Sequence, residues 1–381
     1  MKVLYDHQIF SLQRYGGISR CFVELYKHMP ESCKATIALR ETENVYGREL
    51  KGVNDVGYDY DHFICNHHFL GKGHLHLWFD KLRRVKYYPD FNKNYSLYLL
   101  QKGNFDVFHP TYFDDYFLPY LNGKPFVLTI HDMIPELYPQ YFARDDFQIV
   151  MKRKLAHLAS AIIAVSENTK KDIIRILNIP EEKIHVVYHG SSLSLKETNK
   201  IYSFPYILLA GQRWGYKNFK PFVKAIAPVL QKHMDIHVVC TGHSFNQEEW
   251  DLINGLDLGE RFHSSMIKTD CELYSLYHYA QCFVYPSEYE GFGIPILEAY
   301  QADCPVLLNN ASCFPEIAGD AALYFNMNSN DSNLAEQLER LLAMTSEEKD
   351  ILLSKQKERL SRYSWENSAK KLAEVYKSVC M

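Results

Sequence analysis

The sequence predicts an α/β protein made of two doubly wound domains, and three observations carry that expectation. The chain has 381 residues, more than one ordinary core accommodates. Short apolar runs of strand length alternate with helix-length amphipathic stretches, the pattern of parallel sheets covered on both faces. That pattern starts twice, at Val3 and again at Tyr206, with the polar stretch from Ser191 to Ser203 as the linker between.

Composition narrows the class. Net charge is −4 at pH 7 and 47% of residues are hydrophobic, so no global basic field points to nucleic acid and the interior is that of an ordinary globular protein. Nine cysteines form no Cys-x-x-Cys pair, and several sit in apolar runs where a thiol behaves as a small hydrophobe, which favours a reducing cytoplasm. The chain opens on the strand-like Lys2-Val3-Leu4-Tyr5 rather than on a leader, and no apolar run is long enough to span a bilayer. A protein that is soluble or peripheral to a membrane is expected. The 28 Tyr and 22 Phe suit sugar stacking and plain packing equally.

Val3-Leu4-Tyr5 reads as the first strand, followed by a loop from Gln8 to Gly17 and the amphipathic run Ile18 to His28. Gly16 and Gly17 stand at this junction, where paired glycines allow close backbone approach and a helix start offers bare N–H groups to a phosphate or a sugar hydroxyl. Taken alone, a Gly-Gly is more often a simple turn. Residues 57–102 are the least regular part. His62, His67, His68, His74 and His76 lie there without carboxylates at zinc-type spacing, so a packed or solvated loop outweighs a metal site. The run from Trp78 to Tyr88, with Lys81, Arg83, Arg84 and Lys86, is expected to rest on anionic headgroups or a lipid-linked acceptor.

Phe105 to Phe108 and Pro125 to Ile130 read as buried strands joined by a polar linker with His109, Thr111, Tyr112, Asp114 and Asp115; the second ends in His131-Asp132. Ligands of parallel sheets gather at the carboxyl ends of strands, so His109 and His131 are expected to face a cleft. The competing reading of a histidine after a strand is a packed or hydrogen-bonded residue. Lys152 to Ala159 is helical, Ala161 to Ser166 is a strand, and Ser166 suits the N-cap of a helix opening at Glu167. Ile184 to Gly190 closes this half.

Tyr206 to Gly211 restarts the pattern, and Gln212-Arg213-Trp214-Gly215-Tyr216-Lys217-Asn218 precedes a helix from about Phe219. Arg213 and Lys217 flank a glycine in this loop, a planar fork and an ammonium suited to a pyrophosphate, though two such cations are more often solvated. Val238 to Gly242 is a strand and turn, Phe262-His263 leads into a polar loop from Ser264 to Thr269, and Asp270 to Ala280 is an amphipathic helix. Cys282 to Pro286 then reads as a buried strand ahead of Glu290-Gly291-Phe292-Gly293-Ile294-Pro295-Ile296-Leu297-Glu298, and Cys304 to Leu308 as the next strand. Glycines before a helix leave N–H groups bare for an anionic or hydroxyl-rich ligand, Pro295 suits the first turn, and Glu298 adds a carboxylate for a vicinal diol. Two glutamates at this spacing are by themselves more often surface charge. Leu323 to Phe325 is a short strand, and Ser364 caps a last helix reaching about Lys377.

The spacing from Glu290 to Glu298, with Gly-Phe-Gly after the first glutamate, Tyr285-Pro286-Ser287 ahead and Pro305-Val306-Leu307 behind, resembles the signature of the large family of retaining glycosyltransferases with the GT-B fold, family GT4. The resemblance runs over nearly the whole chain and is strongest over 206–325. It implies two Rossmann-like domains facing a central cleft: an acceptor-binding domain over 1–195, with the terminal helix 364–381 packing back on it, and a nucleotide-sugar-binding domain over 203–363. The catalytic set it implies is His131, Arg213, Lys217 and Glu290. Donor contacts fall to Gly16, Gly17, Arg213, Lys217, Gly291, Phe292, Gly293, Ile294 and Glu298, the last on the ribose, and acceptor-side positions to His109, Tyr112 and Asp132. No cofactor and no metal are implied, the nucleotide-diphosphate sugar being a substrate, and no Asp-x-Asp stands in a convincing loop. The opening Tyr5-Asp6-His7-Gln8-Ile9-Phe10 with Arg14 to Arg20 looks most like bacterial mannosyltransferases of O-antigen and capsule synthesis. That implies mannose moved from GDP-mannose to a lipid-diphosphate-linked saccharide, in the cytoplasm or peripherally on the inner face of the plasma membrane, with UDP-glucose or UDP-N-acetylglucosamine as alternative donors. A nicotinamide oxidoreductase would need Gly-x-Gly-x-x-Gly after a first strand, which neither half has. A non-catalytic carbohydrate-binding protein would not need Arg213, Lys217 and Glu298 together.

Overall fold

The computed structural model describes residues 1–53, 91–143, 145–193, 198–327 and 332–380. The histidines from His62 to His76 and the basic-aromatic run from Trp78 to Tyr88 lie outside the described residues. The chain divides into two compact units: Met1–Thr129, Met151–Ile162 and Ala369–Met381 form one, Ile130–Val150 and Ile163–Ser368 the other. The division does not fall at the 191–203 linker: residues 130–150 and 163–193 group with the later part of the chain, while residues 369–381 group with the first unit, to which the terminal helix was assigned.

In the first unit, β1 (Lys2–Tyr5) lies parallel between β2 (Lys34–Ile37) and β3 (Val107–His109). Val3 stands opposite both Ala35 and Val107, and a single bridge joins Phe108 to Phe126. β2 escapes the sequence reading because its alternately exposed residues, Lys34 among them, mark an edge strand. The helices α1 (Gln8–Leu12), α2 (Gly17–Lys27) and α3 (Phe91–Lys102) follow in order. α2 turns Cys21, Phe22 and Leu25 inward at helical spacing, and Phe22 meets Tyr5 edge-on at 5.7 Å. A further sheet has the order β4 (Val127–Ile130), β5 (Ala161–Ala164), β6 (Ile184–Val186), with α4 (Ile134–Leu137), α5 (Phe147–Leu158) and α6 (Glu167–Leu177) in the connections.

The second unit holds a six-stranded parallel sheet made of β7 (Tyr206–Leu209), β8 (His237–Thr241), β9 (Phe262–Ser265), β10 (Cys282–Tyr285), β11 (Val306–Asn309) and β12 (Leu323–Phe325). Their spatial order is β12-β11-β10-β7-β8-β9. Helices α7 (Phe219–Lys232), α8 (Gln247–Asn254), α9 (Asp270–His278), α10 (Ile294–Gln301) and α11 (Phe314–Ala318) alternate with the strands, and α12 (Leu334–Leu342), α13 (Ser346–Leu360) and α14 (Trp365–Cys380) end the chain. Each central strand is a wholly buried run whose side chains alternate between two cores. Tyr206, Leu208, Phe283, Tyr285, Val306 and Leu308 enter one; Ile207, Leu209, Cys282, Val284 and Leu307 enter the other. That two-sided burial is why these strands read as continuous apolar runs. β9 stands where a polar loop was expected to start; it is instead the sheet's outer strand, paired with β8 from Val238–Phe262 to Thr241–Ser265. Strand order reverses between β7 and β10, and in such sheets the crevice outside the carboxyl ends of the strands at this point takes the ligand.

Candidate active site

Two loops meet at the reversal. The one after β7 leaves through Gly211, whose φ of +103° suits glycine, and tightens into a single turn at Gly215–Lys217. The one after β10 runs from Pro286 to Gly293. Asn218 Nδ2 donates to Pro286 O at 3.1 Å, Glu288 N to Tyr216 O at 2.8 Å, and Lys217 Nζ to Glu290 Oε1 at 2.5 Å. The Lys217 and Glu290 side chains retain only 16% and 12% exposure, so their charges are largely withdrawn from water and answer each other. The main chain of Glu290 is held as tightly. Ser312 Oγ accepts from its N–H at 3.1 Å and donates to its carbonyl at 2.7 Å, and Cys313 Sγ lies 3.2 Å from the same oxygen. The buried Tyr285 hydroxyl also bonds to Glu290; burial first, then the glutamate's charge, keeps this phenol protonated and therefore a donor.

Gly291 is fixed by a different set. Its carbonyl accepts from Ser166 Oγ at 2.6 Å and Thr169 Oγ1 at 3.2 Å, while Ser166 also accepts from Thr169 N at 3.0 Å as the N-cap of α6. A Cβ at Gly291 would sit 1.8 Å from His131 O, so this position has room only for glycine. His131 thus ends β4 against the acidic loop. Its ring lies 5.8 Å from that of His189, which is wedged against Phe292 and Trp365. Burial, then His131, pushes the His189 pKa well below 6.5, leaving a neutral imidazole. Gly293 has φ +87° and precedes α10 with no side-chain cap; Pro295 brings no N–H to the first turn and Ile296 N donates to Gly293 O at 2.9 Å. Phe292 turns into the core and Ile294 is half-buried. Glu298, on the second turn of α10, accepts from Tyr277 O–H at 3.2 Å.

Arg213, in the same loop as Lys217, has protein partners of its own. Its Nε donates to Glu249 Oε1 at 3.0 Å and its Nη2 to the carbonyls of His243 and Ser244, and it stacks over Phe245. Both side chains are buried, at 7% and 8% exposure. Sequence reasoning misses Glu249, although Asn246-x-x-Glu249 is the spacing of the capping box it forms on α8. His109 departs from expectation. It faces no cleft: it is fully buried, with Nδ1 2.6 Å from Tyr376 Oη and Nε2 2.9 Å from Thr129 Oγ1, and Tyr376 reaches Tyr5 Oη at 2.7 Å. Gly16 begins α2 in extended backbone, and a Cβ on Gly17 would meet nothing within 4 Å. Tyr112 packs on Phe113 at 4.8 Å, and Asp132 Oδ1 accepts from Ile134 N at 3.0 Å to open α4. Among the described residues no three His, Cys, Asp or Glu side chains are grouped to hold a metal ion, and no helix is long and apolar enough to cross a membrane.

Known proteins resemble this chain in sequence and fold. Residues 15–195 match the family described as Glycosyltransferase Family 4, and residues 190–363 the family described as Glycosyl transferases group 1. The O-antigen chain mannosyltransferase RfbU of Salmonella typhimurium is 28% identical over 209 residues, 55% of this chain and 58% of that protein. O-antigen chain mannosyltransferase B of Escherichia coli is 28% identical over 280 residues, 69% of this chain and 72% of that protein. The match thus spans little more than half of one relative and nearly three quarters of the other. The crystal structure of Anabaena HepE in complex with UDP and glucose superposes with a TM-score of 0.71 at 17% identity, covering 99% of this chain and 100% of that one.

Proposed function

Because the chain belongs to the glycosyltransferases of family 4 and has their GT-B fold, we propose that it moves a hexose, mannose from GDP-mannose, onto a lipid-diphosphate-linked saccharide in surface polysaccharide synthesis. The observation that carries this reading is the 2.5 Å contact of Lys217 with Glu290 at the strand-order reversal. As the anomeric C–O bond breaks, negative charge grows on the leaving diphosphate. Lys217 stabilises that charge, and preorganised charges of this kind usually contribute more to rate enhancement than any other single effect. Glu290 and the amides of Gly291 to Gly293 orient the sugar hydroxyls, His131 bonds the sugar, and Glu298 holds the ribose. Arg213, tied to Glu249, orders the loop that carries Lys217.

The acceptor oxygen attacks on the face the diphosphate leaves, and its proton passes to a departing phosphate oxygen, so the anomeric configuration is retained without metal or covalent intermediate. The O-antigen mannosyltransferases among its relatives support mannose. UDP-glucose is the second reading, favoured by the UDP and glucose bound to Anabaena HepE.

Incubation with GDP-mannose, UDP-glucose and UDP-N-acetylglucosamine, with and without a chelator, tests the reading by nucleotide release. Release from GDP-mannose, undiminished by the chelator, is expected, and NMR of the product on a lipid-diphosphate primer should show the donor's anomeric configuration. Turnover of another donor only, or an inverted product, refutes the corresponding part; no release from any donor refutes the whole.

A further inference from the structure

The second unit carries a group of aromatic rings that the donor chemistry leaves unused. Trp214, in the loop after β7, is 45% exposed, and Tyr141, in the stretch after α4, is 44% exposed. Singly exposed aromatics are ordinary. These two are braced as a set. Tyr141 stands edge-on to Trp214 at 5.8 Å and 87°, and Tyr216 meets the indole at 5.6 Å and 73°. Tyr138 ties the group together, 5.5 Å from Tyr216 and 6.4 Å from Tyr141. Gly215 makes the arrangement possible: at φ +55° a Cβ there would come within 3.2 Å of the Tyr141 ring. The indole N–H donates to Gln212 Oε1 at 2.9 Å, which fixes the ring's orientation as well as its position.

The fringe of this platform is polar and acidic. The Tyr138 hydroxyl bonds to the exposed Glu288, and burial first, then that carboxylate, pushes its pKa up to about 12, so the phenol is the donor. Glu288 N donates to Tyr216 O, and Lys217 follows Tyr216 directly, so the platform adjoins the candidate catalytic loop.

Rigid rings beside a carboxylate and a carboxamide match one ligand chemistry. The C–H face of a pyranose lies on the aromatic surface while its hydroxyls bond to the fringe, and braced rings lose little freedom on binding. The carboxylate repels phosphate, which disfavours a diphosphate or an anionic lipid headgroup here. We propose that Trp214 and Tyr141 form the stacking platform for a pyranose of the saccharide acceptor, with Glu288 and Tyr138 taking its hydroxyls. This inference rests on the glycosyltransferase reading and adds to it where the acceptor sugar binds.

Steady-state kinetics of Trp214→Ala, Tyr141→Ala and Trp214→Phe test it. The alanine variants should raise the acceptor KM several-fold to about tenfold, the effect of losing a ring stack, while the donor KM stays within about twofold of wild type; Trp214→Phe should keep most of the affinity. A raised donor KM alone assigns the rings to the nucleobase and overturns the proposal, as does an unchanged acceptor KM. Binding is read separately, without turnover or risk from misfolded alanine variants, by titrating a mannose disaccharide into donor-free protein and following tryptophan emission. A shift in wild type that disappears in Trp214→Phe supports the platform, and no shift in wild type overturns it. Failure of the underlying reading shows differently, as absent nucleotide release by wild-type protein.

Discussion

Arg213 and Lys217 stand in one loop, yet their charges meet different carboxylates. Lys217 faces Glu290 in the acidic loop; Arg213 faces Glu249 on α8, 36 residues along the chain. The two substitutions should therefore fail differently. Lys217→Ala should lower kcat by about a hundredfold or more, the usual loss of one transition-state donor, with less effect on stability. Arg213→Met leaves Glu249 buried without its cation and should cost about 3–5 kcal/mol in urea unfolding. Arg213→Met with Glu249→Met replaces the whole pair by apolar groups and should recover most of that stability. A double variant as unstable as the single one would show that the bonds of Arg213 to the His243 and Ser244 carbonyls, and of Glu249 to Asn246 N, outweigh the ion pair. This pair also marks what could be read at the residue scale. That the loops carrying Lys217 and Glu290 converge was legible because each follows a strand of unmistakable pattern and parallel topology brings strand ends together; that the two side chains pair with each other was not. Glu249 and the Tyr376 partner of His109 were not, because side-chain pairing across such distances in sequence leaves no local trace.

Among the elements, the acidic loop depends on its neighbours more than on its own sequence. Ser312 holds Glu290 by both main-chain groups, Ser166 and Thr169 hold the Gly291 carbonyl, and the His131 carbonyl occupies the space a Cβ on Gly291 would need. Gly291→Ala places a methyl against a backbone oxygen rather than a flexible side chain, so the main chain itself must shift. A loss of about 3 kcal/mol or more is expected, with transfer activity falling below detection; a variant that melts and turns over like wild type would place His131 elsewhere. Ser312→Ala is milder, removing two hydrogen bonds for about 1–3 kcal/mol, and should lower kcat because the Glu290 backbone is no longer fixed. That the glycines lie in a strand-to-helix loop ahead of α10 was readable from spacing and the flanking apolar runs. Gly291 packing on His131 was not, since spacing says nothing of what crosses above a loop. Elements with weak patterning, β2 and β9 at sheet edges, escaped for a related reason: an edge strand buries too little to write a continuous apolar run.

Across the whole molecule, the two-fold restart of the strand pattern was legible because parallel sheets need apolar residues on both faces. The division into compact units was not, because it follows packing rather than chain order, assigning residues 130–150 to one unit and 151–162 to the other. That division leads to a pH prediction. Three histidines of the second unit, His189, His237 and His263, have pKa values lowered chiefly by burial. At His189 the neighbouring His131 adds to this. At His237 the further contributions are His263, 2.9 Å away, and Arg261, opposed by Asp235; at His263 Glu260 opposes. A base with a depressed folded pKa is neutral in the native state. Above the unfolded value of 6.5 both states are neutral and stability is complete; below it the unfolded chain takes up protons the folded chain refuses, and stability falls as pH drops toward the folded pKa. Carboxylate titration begins lower, near the ordinary Asp and Glu values of about 4, so the interval from about pH 7.5 to 5.5 isolates the histidines. The urea midpoint should fall across that interval, and amide protection in the second unit should decline before that in the first. His189→Phe, which keeps the ring contact with Phe292 and Trp365 but cannot protonate, should flatten the slope. An unchanged slope in that variant would remove His189 from the account, and a midpoint that rises on acidification would reverse the sign for all three.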